Sequence, residues 1–446
     1  MLDIKLYSSS LEDDMFVQMW EKKSLRERCE KENKKIIVWG ATDFSLNLCK
    51  ELELEKYIWG IVDNNAEMQK QGKAYAPIIL KEMDEKEYLI LITARNIFSE
   101  NQIKKEIANK ICKDYDVYAF GQLQCSSDDE YWEKTVVGQC LRFEDLYLQQ
   151  NKILLEDEEK YWKDRYEYFA NRENVVVPAL IFILSNCCTL RCEKCSMLMP
   201  YFTERWEMPL EEAISSIDTL LRGVDEVIRF NLIGGEPLLY QNLDKIIYHL
   251  EKSDKVKQIA LNTNSTIIPK EHILESLKSP KVHVVLSDYG NVVQMAKLVE
   301  CFEKQNINFE IWSEQTWVDF GGTESRQRSA ELLEAFYMRC GAAKTDKAVL
   351  GNKFFSCERA ARMHMLGNVY NAENDYVELN HKDTDEELRK KVHEMLVRKT
   401  SDACNHCDLA SADIFKVVEP GIQMGKGSFV RSKYTLVKRR EDDSSC

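Results

Sequence analysis

Short apolar runs separated by longer amphipathic stretches recur along most of the chain, and that alternation predicts strands followed by helices. Residues 1–33 are charged, with Met15, Phe16, Met19, Trp20 and Leu25 giving an N-terminal helix a partly apolar face. Lys35-Ile-Ile-Val-Trp-Gly40 then predicts a strand meeting a glycine. A helix from Ala41 and a second strand, Tyr57 to Asp63, follow it. Tyr88–Thr93 and Tyr115–Phe120 predict two more strands around a helix at Ser99–Ile111. Strands alternating with helices imply a doubly wound parallel sheet.

Residues 121–175 carry Tyr161, Trp162, Tyr166 and Phe169 at helical spacing, and such a stripe predicts helices packing between domains. From Val175 to about Gly322 the strand–helix alternation resumes. Its strands are Ala179–Leu184, Glu226–Ile233, Gln258–Asn262, Val282–Leu286 and Asn308–Trp312, with a helix at Pro209–Arg222. Short runs this rich in branched residues suit a parallel sheet covered on both faces.

Composition narrows the class. A chain of 446 residues is long enough for about three domains. The net charge of −14 argues against a general nucleic-acid or anionic-membrane surface. The first residues lack a basic segment followed by an apolar core, and no stretch has the apolar length of a membrane span. Fifteen cysteines in a chain without an export signal favour metal or cluster ligation over disulfides, so a reducing cytoplasm is expected.

The thiols fall into two sets. Cys188, Cys192 and Cys195 form C-x-x-x-C-x-x-C directly after the Ala179–Leu184 strand. Zinc sites usually close with four ligands, and ferredoxin clusters use four cysteines. Three thiolates leave one iron of a cubane open to a small molecule. Cys187 does not supply a second frame, because Arg191 stands four residues on. The plainer alternative is a group of buried free thiols. The next strand runs into Gly234-Gly235-Glu236-Pro237, whose glycines let backbone approach a ligand closely. Thr263-Asn264-Ser265-Thr266 follows the third strand and Ser287-Asp288-Tyr289-Gly290 the fourth.

Together these motifs, over residues 180 to 320, resemble the radical S-adenosylmethionine (SAM) enzymes. The resemblance implies a partial (β/α)6 barrel, a [4Fe–4S] cluster on Cys188, Cys192 and Cys195, and SAM chelated at the open iron. It further implies that Gly234, Gly235, Glu236 and Pro237 meet the SAM amino group, with Asn264 and Ser287 at its ribose or carboxylate. Ser265 replaces a glycine of the family's T-N-G-T segment, and the Ser287 motif is shifted from the family's S-x-D-G.

Cys340, Cys357, Cys404 and Cys407 form the second set, closing in C-x-x-C, and four thiolates can hold zinc or a second cluster. Their order resembles the twitch domain of some radical SAM dehydrogenases, which implies a second [4Fe–4S] cluster. His406 reads as loop filler. Cys29, Cys49, Cys112, Cys125, Cys140, Cys301 and Cys446 show no ligand spacing. The N-terminal segment is similar to Rossmann-like domains of nucleotide-sugar-modifying proteins. Only Gly40 of the glycine fingerprint stands, with Thr42 and Ser45 in the other two places, while Asp63 is placed for a ribose hydroxyl. The alternative is a docking role without nucleotide.

The expected organisation is a Rossmann-like domain at 1–125, a helical linker at 126–175 and a radical SAM core at 176–335. A twitch domain at 336–425 and a tail at 426–446 complete it. The expected activity is hydrogen abstraction from a sugar, polyol or nucleotide-linked sugar, with a flavodoxin- or ferredoxin-type reductant supplying electrons. No nucleic acid or membrane partner is expected. A peptide-modifying enzyme and a non-catalytic zinc-binding interaction protein are the alternatives. Glu314, Arg339, Arg359 and Arg362 stand near the expected site edges without a rank among them.

Overall fold

The computed structural model describes residue 25 and residues 29–42, 45–46, 49–50, 54–94, 97–119, 132–289, 292–313, 317–367, 369–409, 417–425, 429–431 and 436–438. Met15, Phe16, Met19 and Trp20 of the expected N-terminal helix, Cys125, Cys446, Glu314 and most of the expected tail lie outside the described residues. The described parts divide into two compact units, one within 10–125 and one within 126–409 and 416–446.

In the smaller unit β1 (Lys35–Trp39), β2 (Ile58–Val62), β3 (Tyr88–Ile92) and β4 (Asp116–Ala119) are all parallel, in the order β2-β1-β3-β4. Both faces are covered, which accounts for the unbroken apolar runs. Ile36, Val38, Leu89 and Leu91 pack with Leu25, Cys29, Cys49 and Leu54. Ile37, Trp39, Ile90 and Ile92 pack on the other side with Leu80, Ile103, Ile107 and Ile111. Gly40 has φ +130°, and a Cβ there would stand 2.4 Å from the Thr93 hydroxyl. Asp63 Oδ2 accepts from the Ala41 N–H at 2.6 Å and Oδ1 from Asn65 N–H at 2.8 Å. The carboxylate expected at a ribose hydroxyl thus holds the backbone that follows β1 and β2.

The larger unit is organised on an eight-stranded sheet. Its centre is five parallel strands in sequence order: β5 (Val176–Ile183), β6 (Glu226–Ile233), β7 (Val256–Thr263), β8 (Val282–Ser287) and β9 (Phe309–Trp312). A sixth βα repeat after β9, as a (β/α)6 barrel requires, is not among the described residues. A short β10 (Trp317–Val318) follows, outside this sheet. The sixth parallel strand instead comes from the C-terminal part: β11 (Lys347–Leu350) pairs with the opposite edge, on β5, through Lys347–Leu180, Ala348–Ile181 and Val349–Phe182. From there β12 (Lys353–Phe355) and β13 (Tyr376–Glu378) continue the sheet antiparallel.

One sheet face packs on helices. Phe182, Phe230, Leu232, Ile259, Leu261, Val284 and Leu286 share a core with Ala213, Ile217 and Leu220 of the helix Leu210–Arg222, and with Ile246, Ile247 and Leu250 of Leu243–Glu251. Burying one such leucine or isoleucine contributes about 2–3 kcal/mol. The same core takes in Leu141, Leu148, Trp162 and Phe169 from the helices Gly138–Gln150 and Glu158–Ala170. The segment expected as a linker thus belongs to this unit. Among the described residues no helix is long and apolar enough to cross a membrane.

Candidate active site

The cysteine loop begins where β5 ends and is pinched at its base. Leu184 N–H donates to Ile233 O at 2.7 Å, Met208 N–H to Leu184 O at 2.8 Å, and Asn186 N–H to Trp206 O at 3.0 Å. Residues 187–205 therefore leave and return through a narrow neck, and local turns wind them further. Cys195 N–H donates to Cys192 O at 3.2 Å and Leu198 N–H to Cys195 O at 3.0 Å.

The winding brings the three thiols within electrostatic reach of one another. Burial pushes all three up: Cys188 well above a thiol's usual range with Glu236 adding to the effect, Cys192 to about 12, and Cys195 upward too. Three thiols crowded together and largely screened from water resist ionisation unless a cation offsets their charge, and a bound metal does that. Among the described residues no set of three His, Cys, Asp or Glu side chains closes on a single metal ion. Thiolates around a cubane stand wider apart than around one ion, and three soft donors suit iron–sulfur ligation. The donor set fits a [4Fe–4S] cluster with one iron left without a protein ligand.

The Gly-Gly-Glu-Pro turn lies directly against this loop. Glu236 N–H donates to Cys187 O at 2.6 Å, and a Cβ on Gly235 would stand 2.3 Å from that same oxygen. Only glycine permits the approach. The carboxylate expected to meet an ammonium is instead fully buried and committed to backbone. Glu236 Oε1 accepts from Leu238 N–H at 3.1 Å and Oε2 from Asn264 N–H at 2.8 Å. Burial raises its pKa to about 7 against the pull of these bonds and of Thr263. Glu236 is thus a clamp between the ends of β6 and β7.

Asn264 is held at the site by that clamp, and its Nδ2 lies 3.5 Å from Cys188 Sγ and 3.0 Å from Thr189 Oγ1. Ser265 adopts φ +59° where the family carries glycine, a left-handed conformation that costs about 1–2 kcal/mol. Ser287 is buried at the end of β8 and hydrogen-bonds Tyr289, which lies within electrostatic reach of Cys192, Cys195 and Glu236.

The family model for the Radical SAM superfamily matches residues 182–287. These residues are a radical SAM domain. GTP 3',8-cyclase of Clostridium botulinum is 35% identical over 94 residues, 20% of this chain and 28% of the relative. GTP 3',8-cyclase of Staphylococcus saprophyticus is 31% identical over 88 residues, 19% and 26% of the two chains. The chain thus spans under a third of the curated relatives it matches. Among solved structures, native anSMEcpe with bound AdoMet aligns with 49% of this chain and 82% of its own at 16% identity and TM-score 0.34. BtrN in complex with AdoMet and 2-DOIA aligns with 54% and 98% at 16% identity and TM-score 0.34. SuiB of Streptococcus suis bound to precursor peptide SuiA aligns with 43% and 52% at 16% identity and TM-score 0.27.

Outside the radical SAM domain, Cys340, Cys357, Cys404 and Cys407 line one small cavity of about 50 Å³. Burial pushes Cys340 up to about 12 and raises Cys357 and Cys404 strongly, each reinforced by the neighbouring thiols. Several groups that spacing does not advertise hold this pocket. Asp375 accepts from Asp402 N–H at 2.9 Å and Ala403 N–H at 2.8 Å, fixing the turn that carries Cys404. Arg328 donates to the carbonyls of Cys404 and Cys407. Lys347 is buried beside Cys357 and Cys340, and burial lowers its pKa to about 7 against the opposing pull of those thiols. His406 hydrogen-bonds Thr323 O at 2.7 Å, so its ring fills the loop.

A single helix joins the two cysteine sets. Cys357 is the N-cap of Glu358–Met365, its sulfur accepting from Ala360 N–H at 3.5 Å. From the same helix Arg359 donates to Ser196 O at 3.1 Å and to Gly321 O and Gly322 O at 2.8 Å. Arg362 is completely buried and donates to Ser185 O at 3.1 Å and Gly234 O at 3.0 Å. It therefore ties the cysteine loop to the Gly-Gly-Glu-Pro turn. Of the site-edge residues named from sequence, Arg359 and Arg362 reach this region, while Glu314 and the side chain of Arg339 lie outside the described residues.

Proposed function

We propose that the chain is a radical SAM oxidoreductase that takes a hydrogen atom from a hydroxyl-bearing carbon of a polar metabolite, of the sugar or polyol class. What supports this reading is the pairing of the Cys188, Cys192 and Cys195 triplet with the Cys340, Cys357, Cys404 and Cys407 quartet, linked by the helix that Cys357 caps and that carries Arg359 and Arg362 to the cysteine loop. When bound, a [4Fe–4S] cluster with SAM supplies reductive cleavage of SAM and the hydrogen-abstracting radical, with electrons from a flavodoxin- or ferredoxin-type reductant. Cys188, Cys192 and Cys195 would hold that cluster, and Cys340, Cys357, Cys404 and Cys407 a second one. Conversion of a secondary alcohol to a ketone releases one hydrogen atom, one proton and one electron. A cluster held by Cys340, Cys357, Cys404 and Cys407 would take up that electron.

A buried polar network lies within the sheet and is bonded internally and to Gln150. Arg229 and Asn231 on β6, Gln258 on β7, His283 on β8 and Glu310 on β9 share the face opposite the helical core, by strand alternation and register. Arg229 is buried and donates to the amide oxygens of Asn231, Gln150 and Gln258 at 2.9–3.0 Å. Anaerobic incubation of the reconstituted enzyme with deuterated sugars, polyols, nucleoside triphosphates and peptides tests the reading through deuterium in 5′-deoxyadenosine. Label arriving from a sugar or polyol supports it, and label arriving only from a peptide or nucleotide overturns the substrate class. Cys404→Ala should retain SAM cleavage and lose product formation; normal turnover would remove the acceptor role from the quartet.

A further inference from the structure

The segment Gly421–Met424, more than two hundred residues downstream, closes against the cysteine loop as a short antiparallel strap. Glu193 N–H donates to Ile422 O at 2.8 Å, and Met424 N–H to Arg191 O at 3.0 Å. Cys192 and Gln423 form the bridge between these bonds. Met424 is buried, whereas Gly421, at φ +72°, packs so closely on Tyr289 that a Cβ would stand 2.9 Å from it. The neighbouring Val417–Val418 pairs with Trp317–Val318 and so anchors the strap.

Gln423 turns its amide onto the site. Its Oε1 accepts from Arg191 N–H at 2.7 Å, and its Nε2 donates to Gly421 O at 2.7 Å. A donor on one side and an acceptor on the other allow the amide one orientation only. That orientation directs Nε2 at Cys192 Sγ, 3.1 Å away. Backbone donors reach Cys188 through Leu190 N–H at 3.4 Å. Gln423 brings the corresponding side-chain bond to Cys192 from a distant part of the chain.

We propose that Gln423 is a positioning residue for the cluster on Cys188, Cys192 and Cys195, and that its N–H···S bond to Cys192 raises that cluster's reduction potential. The proposal rests on the radical SAM reading of the triplet. Hydrogen bonds to cluster sulfurs favour the reduced state, which carries one more negative charge. Without the bond the cluster is harder to reduce, and cleavage of SAM by a reductant of fixed potential slows. Gln423 is an exposed residue, so its replacement opens no core cavity.

The test is an EPR-monitored redox titration of the reconstituted full chain, following the signal that changes when SAM is added. Gln423→Leu should shift the midpoint to a more negative value. Gln423→Glu keeps the acceptor for Arg191 N–H but sets a carboxylate oxygen at the sulfur, and should shift it further. Midpoints equal to wild type in both variants, at full iron content, overturn the proposal alone. Loss of the cluster from both assigns Gln423 to cluster retention and overturns the tuning role. A wild-type protein without any SAM-responsive signal overturns the proposal and the radical SAM reading together.

Discussion

Gly235 is where one missing carbon matters most, because the Cys187 carbonyl occupies the place a Cβ would take. Gly235→Ala must push two backbones apart, at a cost of about 1–3 kcal/mol. It should lower iron retention at the triplet while leaving the quartet's share intact, as read by iron analysis and EPR. Glu236 makes a pH-dependent contribution. Burial raises its pKa from 4.5 to about 7, so the native protein binds a proton that the unfolded chain has released. Its contribution is fully present below pH 4.5 and is lost as pH rises through about 7, up to about 3 kcal/mol in all. In urea unfolding of the cluster-free protein, wild type should lose more stability than Glu236→Gln between pH 5 and pH 8. Equal losses would mean that the carboxyl titrates as an ordinary surface acid.

At the scale of elements, the helix Glu358–Met365 links Cys357 of the quartet to the framework of the triplet. Arg362→Leu leaves the carbonyls of Ser185 and Gly234 without their charged donor, which costs about 2–4 kcal/mol. Thermal unfolding should register that loss, and iron content should fall at the triplet, although none of its cysteines has changed. The strands, the triplet and the Gly-Gly-Glu-Pro turn were legible in the sequence because their signals are local: alternation, spacing and glycine pairs. Asp375 and Gln423 were not, and Arg362 stood among the site-edge residues without a rank, because each acts on residues 27 to 232 positions away and local pattern says nothing of such partners. The sixth strand escaped for the same reason. Lys347-Ala-Val-Leu350 is a short apolar run like many others, and its pairing with β5 depends on the intervening chain.

At the scale of the molecule, the two units differ in what their strand ends do. In the smaller unit Asp63, Thr93 and Ser45 close the turn after β1 on itself. In the larger one the strand ends gather thiols, glycines and amides in one place. The zinc-protein and enzyme readings separate on chemistry that thiols alone cannot perform. The decisive measurement is 5′-deoxyadenosine formation by the anaerobically reconstituted, chemically reduced chain supplied with SAM. The account predicts deoxyadenosine from wild type and none from Cys192→Ala. Wild-type protein carrying a full iron–sulfur complement that leaves SAM intact, or Cys192→Ala that cleaves it normally, would contradict the account.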